Sequence, residues 1–374
     1  MANAKTESSS SSGVQVKLVH EFPNAYLLAL SPDSKCVCLY FTKHQRDTFT
    51  FRGGRWKHDN AKDDTDEVLR VLEIGTWKAI DSVRLRYQTV NTSFFADGKA
   101  LYAETAAIPD DRYHTSQRVI INLQDGGREE VIQPEPSAHC SALRERTLLG
   151  VVGNAVITDA LILTTFPAFK EISRAPFAVT GDRAAFPSSS NLSFSADRKM
   201  IAYGVDLSIV CRRSQDLSLV WTSPIEPVYA LGAWRISMSA DGNRIAAAIL
   251  DTGYVENQRK YYVGVYDGRD GSLVAKLPIN GYAGLAISPN GKFLAVGERI
   301  EAKADPQDVQ LAVSIVDIMS GEQVARFVHD HFHIGRGEWV NSYFGINGIQ
   351  FTADGKYLIT SSIHTKVWEL EGVS

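Results

Sequence analysis

The chain has 374 residues, of which 44% are hydrophobic and 22% charged, with a formal net charge of −4. That balance suits a soluble globular protein and does not suit a general binder of nucleic acid or of anionic membranes. No apolar run approaches the roughly 20 residues that a membrane-crossing helix needs.

Residues 1–13 (MANAKTESSSSSG) are polar and Ser-rich, without the apolar core of a signal peptide, and read as a disordered tail. A cytoplasmic location follows, with export behind a removed signal as the alternative. Residues 14–374 are expected to form one domain. They open on a spare strand, in which Val14, Val16 and Leu18 alternate with Gln15 and Lys17 up to Phe22 and Pro23.

A hairpin pattern then recurs along the chain. Its copies start at Leu28 (LALSPDSKCVCLYF), Thr92 (TSFFADGKALYAET), Leu192 (LSFSADRKMIAYGV), Ile236 (ISMSADGNRIAAAI), Leu285 (LAISPNGKFLAVGE) and Ile349 (IQFTADGKYLITSS). Each places an acidic or amide residue at its turn: Asp33, Asp97, Asp197, Asp241, Asn290 and Asp354. Gly98, Gly242, Gly291 and Gly355 follow in four copies. Glycine accepts the positive φ of a tight turn, so Asp-Gly between alternating runs signals a hairpin. Ser34 and Arg198 stand where the other copies have glycine, so those turns must differ in type or tolerate strain.

Further strands follow each hairpin. Examples end at Glu73 before Gly75, at Asn122 before Gly126, at Asp267 before Gly271 and at Asp317 before Gly321. The unit is therefore four short antiparallel strands, repeating at roughly 45 to 65 residues. The double interval between Asp97 and Asp197 accommodates a degenerate unit with a hairpin over 140–152 and outer strands over 156–163 and 169–173. The count is seven, with six and eight left open. One such sheet cannot bury both its faces, whereas radial stacking buries them all. The last unit ends after its third strand, and residues 14–22 are expected to supply the fourth by pairing with 366–370. That closes the ring and removes an open edge.

These hairpins, with the strand ends at Asp267, Asp317 and Trp368-Glu369, resemble a divergent WD40-type seven-bladed β-propeller over nearly the whole chain from Val14. The resemblance implies an all-β fold of four antiparallel strands per blade. The Gly-His dipeptide that opens a repeat in the strict family is absent. This sets the chain apart from that family's buried His-Ser-Trp-Asp network.

The sequence also distributes its loops unevenly. Four long connections follow second strands, over 43–67, 104–117, 251–260 and 298–309. All lie on one face, and long loops on a rigid scaffold commonly bind. The first begins basic and aromatic and ends acidic. Its Phe49, Phe51, Arg55 and Trp56 are candidate anchors for a protein partner. The alternation at Thr48–Phe51 also reads as a protruding hairpin turning at Gly53-Gly54. His329, His331 and His333 alternate, so an extended segment would face them one way toward a divalent metal; the alternative is histidines in structural or partner contacts. The segment 343–348 would line the channel mouth or pack at the ring closure. Cys36 and Cys38 share one strand face and suit buried free thiols better than a disulfide.

Catalytic motifs are missing. The chain has no Gly-x-Ser-x-Gly elbow, no phosphate-cradling loop before a helix and no His-Glu-x-x-His. An enzyme resembling propeller lactonases or quinoproteins would need carboxylates such as Glu104, Asp251 and Glu298 to converge on the axis. The leading reading is a non-catalytic, monomeric scaffold without a cofactor that binds a protein on the long-loop face. A propeller enzyme, or a small-molecule or metal binder in the channel, is the alternative.

Overall fold

The computed structural model describes residues 14–41, 50–52, 55–57, 68–84, 89–105, 118–125, 128–130, 137–142, 147–153, 158–165, 170–176, 192–205, 207–225, 230–251, 260–279, 284–301, 308–333, 345–346, 348–362 and 364–373. Its strands form seven four-stranded antiparallel sheets and one two-stranded sheet. Sheet 1 runs Ala25–Leu30, Cys36–Phe41, Val68–Glu73, Ala79–Arg84. Sheet 2 runs Thr89–Phe94, Ala100–Thr105, Arg118–Asn122, Arg128–Glu130, and sheet 3 runs Ser137–Ala142, Thr147–Gly153, Thr158–Thr165, Glu171–Pro176. The outer strands of sheet 3 lie about two residues later than the degenerate repeat suggested. Sheet 4 comprises Leu192–Phe194, Met200–Val205, Ser208–Arg213 and Leu219–Pro224; sheet 5 comprises Ala230–Met238, Arg244–Asp251, Lys260–Asp267 and Leu273–Ile279. Sheet 6 holds Leu285–Ile287, Phe293–Glu301, Asp308–Asp317 and Gln323–His333. Sheet 7 holds Gly348–Phe351, Tyr357–Ser361 and Thr365–Glu371, and its fourth strand is Gln15–Phe22 from the other end of the chain.

Side chains on successive strand residues point to opposite faces. In the second strand of sheet 5, Ile245, Ala247 and Ile249 pack toward sheet 4, while Ala246 and Ala248 pack toward sheet 6. Middle strands are thus covered on both sides, which is why they read as unbroken apolar runs. The same sandwiching repeats. Cys38, Leu69 and Val71 of sheet 1 meet Phe94, Leu101 and Ile121 of sheet 2. Leu149, Leu161 and Leu163 of sheet 3 meet Ile201, Tyr203 and Val210 of sheet 4. Leu311, Val313 and Ile315 of sheet 6 meet Leu358, Trp368 and Leu370 of sheet 7. On its other side sheet 7 gives Ile359 and Val367, with Phe22, to Ala25, Val37 and Leu39 of sheet 1. Sheets 2 and 3 touch through their first strands.

The N-terminal strand pairs with Thr365–Glu371 from Gln15↔Glu371 to Phe22↔Thr365, with an irregularity between Leu18 and His20. It is held by more than its ladder. Phe22 sits with His20, Phe41 and Trp77, and Trp77 reaches Tyr357 of sheet 7 at 5.6 Å between ring centroids. One aromatic cluster therefore joins the two ends of the chain to sheet 1.

The first turns share a polar closure. In sheets 1, 4, 5, 6 and 7 a hydroxyl donates to the side chain two residues on: Ser31 to Asp33, Ser195 to Asp197, Ser239 to Asp241, Ser288 to Asn290 and Thr352 to Asp354, at 2.6–2.8 Å. The same oxygen accepts the backbone N–H five residues on, as in Cys36 to Ser31 at 2.9 Å. Sheet 2 has Phe95 instead of the hydroxyl and keeps only the Asp97 half, with Lys99 N–H at 2.9 Å. All six turns take positive φ, including Ser34 (φ 52°) and Arg198 (φ 56°). The two sequence exceptions therefore keep the turn type and carry its strain, which for a non-glycine residue costs about 1–2 kcal/mol. In sheets 1, 2, 4, 5 and 6 the first turn also bonds the second turn of its own sheet, as Ile74 N–H to Lys35 O. The short turns thus share one face, and the second strands of sheets 1, 2, 5 and 6 end at the opposite one.

Two outcomes test this scheme. Removing residues 14–22 deletes Phe22 from its core cluster and uncovers the last strand of sheet 7; calorimetry should show the melting temperature fall by about 10 °C or more. An unchanged transition would contradict the pairing. Gly291 has φ 70°, and a Cβ there would lie 3.1 Å from the Arg244 side chain. Gly291→Val should cost about 2 kcal/mol in denaturant unfolding, and a neutral result would mean the turn does not need its glycine.

Candidate functional site

The connection between the second and third strands of sheet 1 carries a small hairpin of its own. Thr50–Arg52 pairs with Arg55–Lys57, with Phe51 opposite Trp56 and Arg52 opposite Arg55. It forms a separate two-stranded sheet, which fits the protruding-hairpin reading of the sequence. Among the four candidate anchors, Phe51, Arg55 and Trp56 share this element. Phe49 lies outside the described residues.

The histidine segment behaves differently from its sequence pattern. His329 and His331 belong to the last strand of sheet 6, where the pairing with Asp308–Asp317 shifts between Leu311↔Asp330 and Ala312↔Val328. The irregularity falls at His329, which is buried, while His331 is exposed. The side chain of His333 lies outside what is described. His329 and His331 thus sit in unlike surroundings, contrary to the alternation argument, and among the described residues no three metal-binding side chains gather.

His329 instead joins a buried polar cluster between sheets 6 and 7. Its Nδ1 lies 2.7 Å from Asp330 Oδ2. The Ser362 hydroxyl donates to the same oxygen, and Lys366 Nζ donates to Asp330 Oδ1 at 3.0 Å and to the His329 carbonyl. Lys366 also lies 3.7 Å from Glu21 in the N-terminal strand. Burial alone would raise the Asp330 carboxyl, but the His329 ring, the Ser362 hydroxyl and the Lys366 ammonium outweigh it and hold it well below the usual carboxylate range. Next to this cluster Trp368 Nε1 donates to Thr360 Oγ1 at 2.8 Å, with the His329 ring 6.3 Å away. Tryptophan, hydroxyl, histidine and aspartate thus gather between sheets 6 and 7 without a Gly-His dipeptide.

The carboxylates considered for catalysis do not follow their strands; they lie in them. Glu104 is within Ala100–Thr105, Asp251 ends Arg244–Asp251, and Glu298 is within Phe293–Glu301. The second strands run longer than the repeat suggested. Glu298 is engaged along its own sheet, accepting from Ser314 at 2.7 Å and Arg326 at 3.2 Å. Of residues 343–348, Ile346 packs in the core between sheets 6 and 7. Cys36, Cys38 and Cys211 are free thiols, and burial pushes each of them up, Cys211 to about 12.

One concavity lies between the first strands of the sheets, at the central channel, which no sequence motif marked. A cavity of about 420 Å³ is lined by the first strands of sheets 1, 4, 5, 6 and 7 and by their first turns. Its described lining includes Phe194, Arg198, Arg235, Ser237 and Gln350.

No protein-family model and no curated protein sequence matches the chain. Among solved structures, it is similar to a crystal structure described as the Cps50 (Swd1) β-propeller domain of Myceliophteria thermophila, at 10% sequence identity and a TM-score of 0.54. The match covers 96% of this chain and 99% of that one. This likeness establishes a β-propeller fold.

The polar cluster yields a pH prediction. Because the folded Asp330 carboxyl is depressed, its stabilisation is complete above the ordinary value of about 4 and is lost as pH falls below it. Asp330→Asn should lose about 3 kcal/mol at pH 7, and the gap to wild type should close toward pH 2 in denaturant titrations. Curves that stay parallel across that range would contradict this role.

Proposed function

We propose that the chain is a seven-bladed propeller closed by its N-terminal strand, acting as a soluble, monomeric protein-interaction scaffold. The observation that carries this reading is the hairpin of Thr50–Arg52 and Arg55–Lys57. It stands on the face of long connections, outside the seven large sheets, and sets Phe51 opposite Trp56. Aromatic residues and arginine on a rigid frame supply most of the energy of protein interfaces while losing little entropy on binding. A propeller presents such a rim without rearranging, which lowers the cost of association.

The test compares affinity capture from native lysate by wild type and by a variant with Phe49, Phe51, Arg55 and Trp56 changed to alanine. A partner retained by wild type should be lost with the variant at an unchanged melting temperature, and binding of the purified partner should weaken at least about 100-fold. Equal retention by both proteins would remove the hairpin from the interface.

A further inference from the structure

Two arginines line the central channel, and no described lining residue is a carboxylate. Arg235 lies in the first strand of sheet 5 and has no hydrogen-bond or ion-pair acceptor among the described residues. Arg198 projects from the first turn of sheet 4. Its guanidinium donates one N–H to the Phe94 carbonyl of sheet 2 at 3.4 Å and lies 4.7 Å from the Phe194 ring centroid. Sheets 2 and 4 are not neighbours, so this side chain reaches across the interior of the ring. A guanidinium has five N–H donors, and among the described residues one of those on Arg198 has an acceptor. Removal from bulk water lowers both groups, Arg198 to about 10, which leaves them cationic at neutral pH.

Arg198 is also where its turn breaks a local rule. It holds φ 56° at the position filled by Gly98, Gly242, Gly291 and Gly355 in other sheets. Strained backbone and a cation without a carboxylate partner among the described residues both oppose folding, and such residues concentrate where a ligand is bound. The acidic neighbour in its turn is no counterion, because Asp197 is engaged by Ser195 and by Lys199 at 2.8 Å.

We propose that the channel, at its short-turn face, binds a small phosphate- or carboxylate-bearing molecule between Arg198 and Arg235. The planar guanidinium fork matches either oxyanion. A cavity of about 420 Å³ takes a small organic anion and excludes a folded partner. The site faces away from the hairpin rim, so the two proposals stand or fall separately.

Calorimetric titration of the full chain with pyrophosphate and, separately, citrate tests it. Saturable binding of at least one anion is expected, weakened at least tenfold in Arg235→Gln and in Arg198→Gly, and unchanged in Arg213→Gln, which removes an exposed charge from the same face. Binding of pyrophosphate alone would identify phosphate as the ligand group, and of citrate alone carboxylate. Melting temperatures without anion should be unchanged or higher in Arg235→Gln and Arg198→Gly. The proposal is overturned if neither anion binds, if Arg235→Gln binds as wild type does, or if Arg213→Gln loses binding equally. A fall of several degrees in the melting temperature of anion-free Arg235→Gln would also overturn it, since the arginine would then be structural.

Discussion

The middle strands present apolar side chains on both faces, and the cost of leaving either face in water sets the architecture. A strand such as Arg244–Asp251 buries Ile245, Ala247 and Ile249 against one neighbouring sheet and Ala246 and Ala248 against the other. Each fully buried aliphatic side chain is worth about 1.5–3 kcal/mol, so a sheet detached from its neighbours would lose most of its stabilisation. Burial has to be supplied from both sides for every sheet. Sheet 7 meets this demand with Phe22 of the N-terminal strand, which packs with Ile359 and Val367 on sheet 1. The buried cluster of His329, Asp330, Ser362 and Lys366 and the aromatic group around Trp77 fall at this junction of the chain ends.

Much of the fold was legible because its local chemistry recurs. The Asp-Gly steps located four of the first hairpins to within a few residues, counting Asn290-Gly291. Ser34 and Arg198 were read as exceptions, but they adopt the same positive φ. What holds the turn is the hydroxyl two residues before the acid, present at Ser31, Ser195, Ser239, Ser288 and Thr352. That second signal was visible in the sequence and holds the turn type at Ser34 and Arg198 despite the strain of their positive φ. Sheet 3 was placed only approximately because it has no Asp-Gly step to anchor its register.

The candidate sites were harder to read. A period of two cannot foresee the pairing shift at His329, so the alternation of three histidines overstated their likeness. Glu298 was placed beyond its strand because polar residues near a strand end resemble a loop; its partners Ser314 and Arg326 come from the next two strands. No sequence motif marked the two channel arginines as a pair. Arg235 sits in an ordinary strand, and only the topology turns its side chain into a shared interior. Arg198 was noticed for the glycine it replaces, and its reach to Phe94 emerged from the ring. The two proposed sites, the hairpin for a protein and the arginine-lined channel for a small anion, thus lie on opposite faces.

The central claim is that the chain ends seal one continuous ring. Amide hydrogen exchange of the N-terminal strand tests it most directly, because paired amides there open either with the whole ring or independently of it. The account predicts that the paired amides of Gln15–Phe22 exchange with the same protection as those of Arg244–Asp251 and Lys260–Asp267. Exchange of the N-terminal strand at unprotected rates, while those sheet 5 strands stay protected, would contradict it.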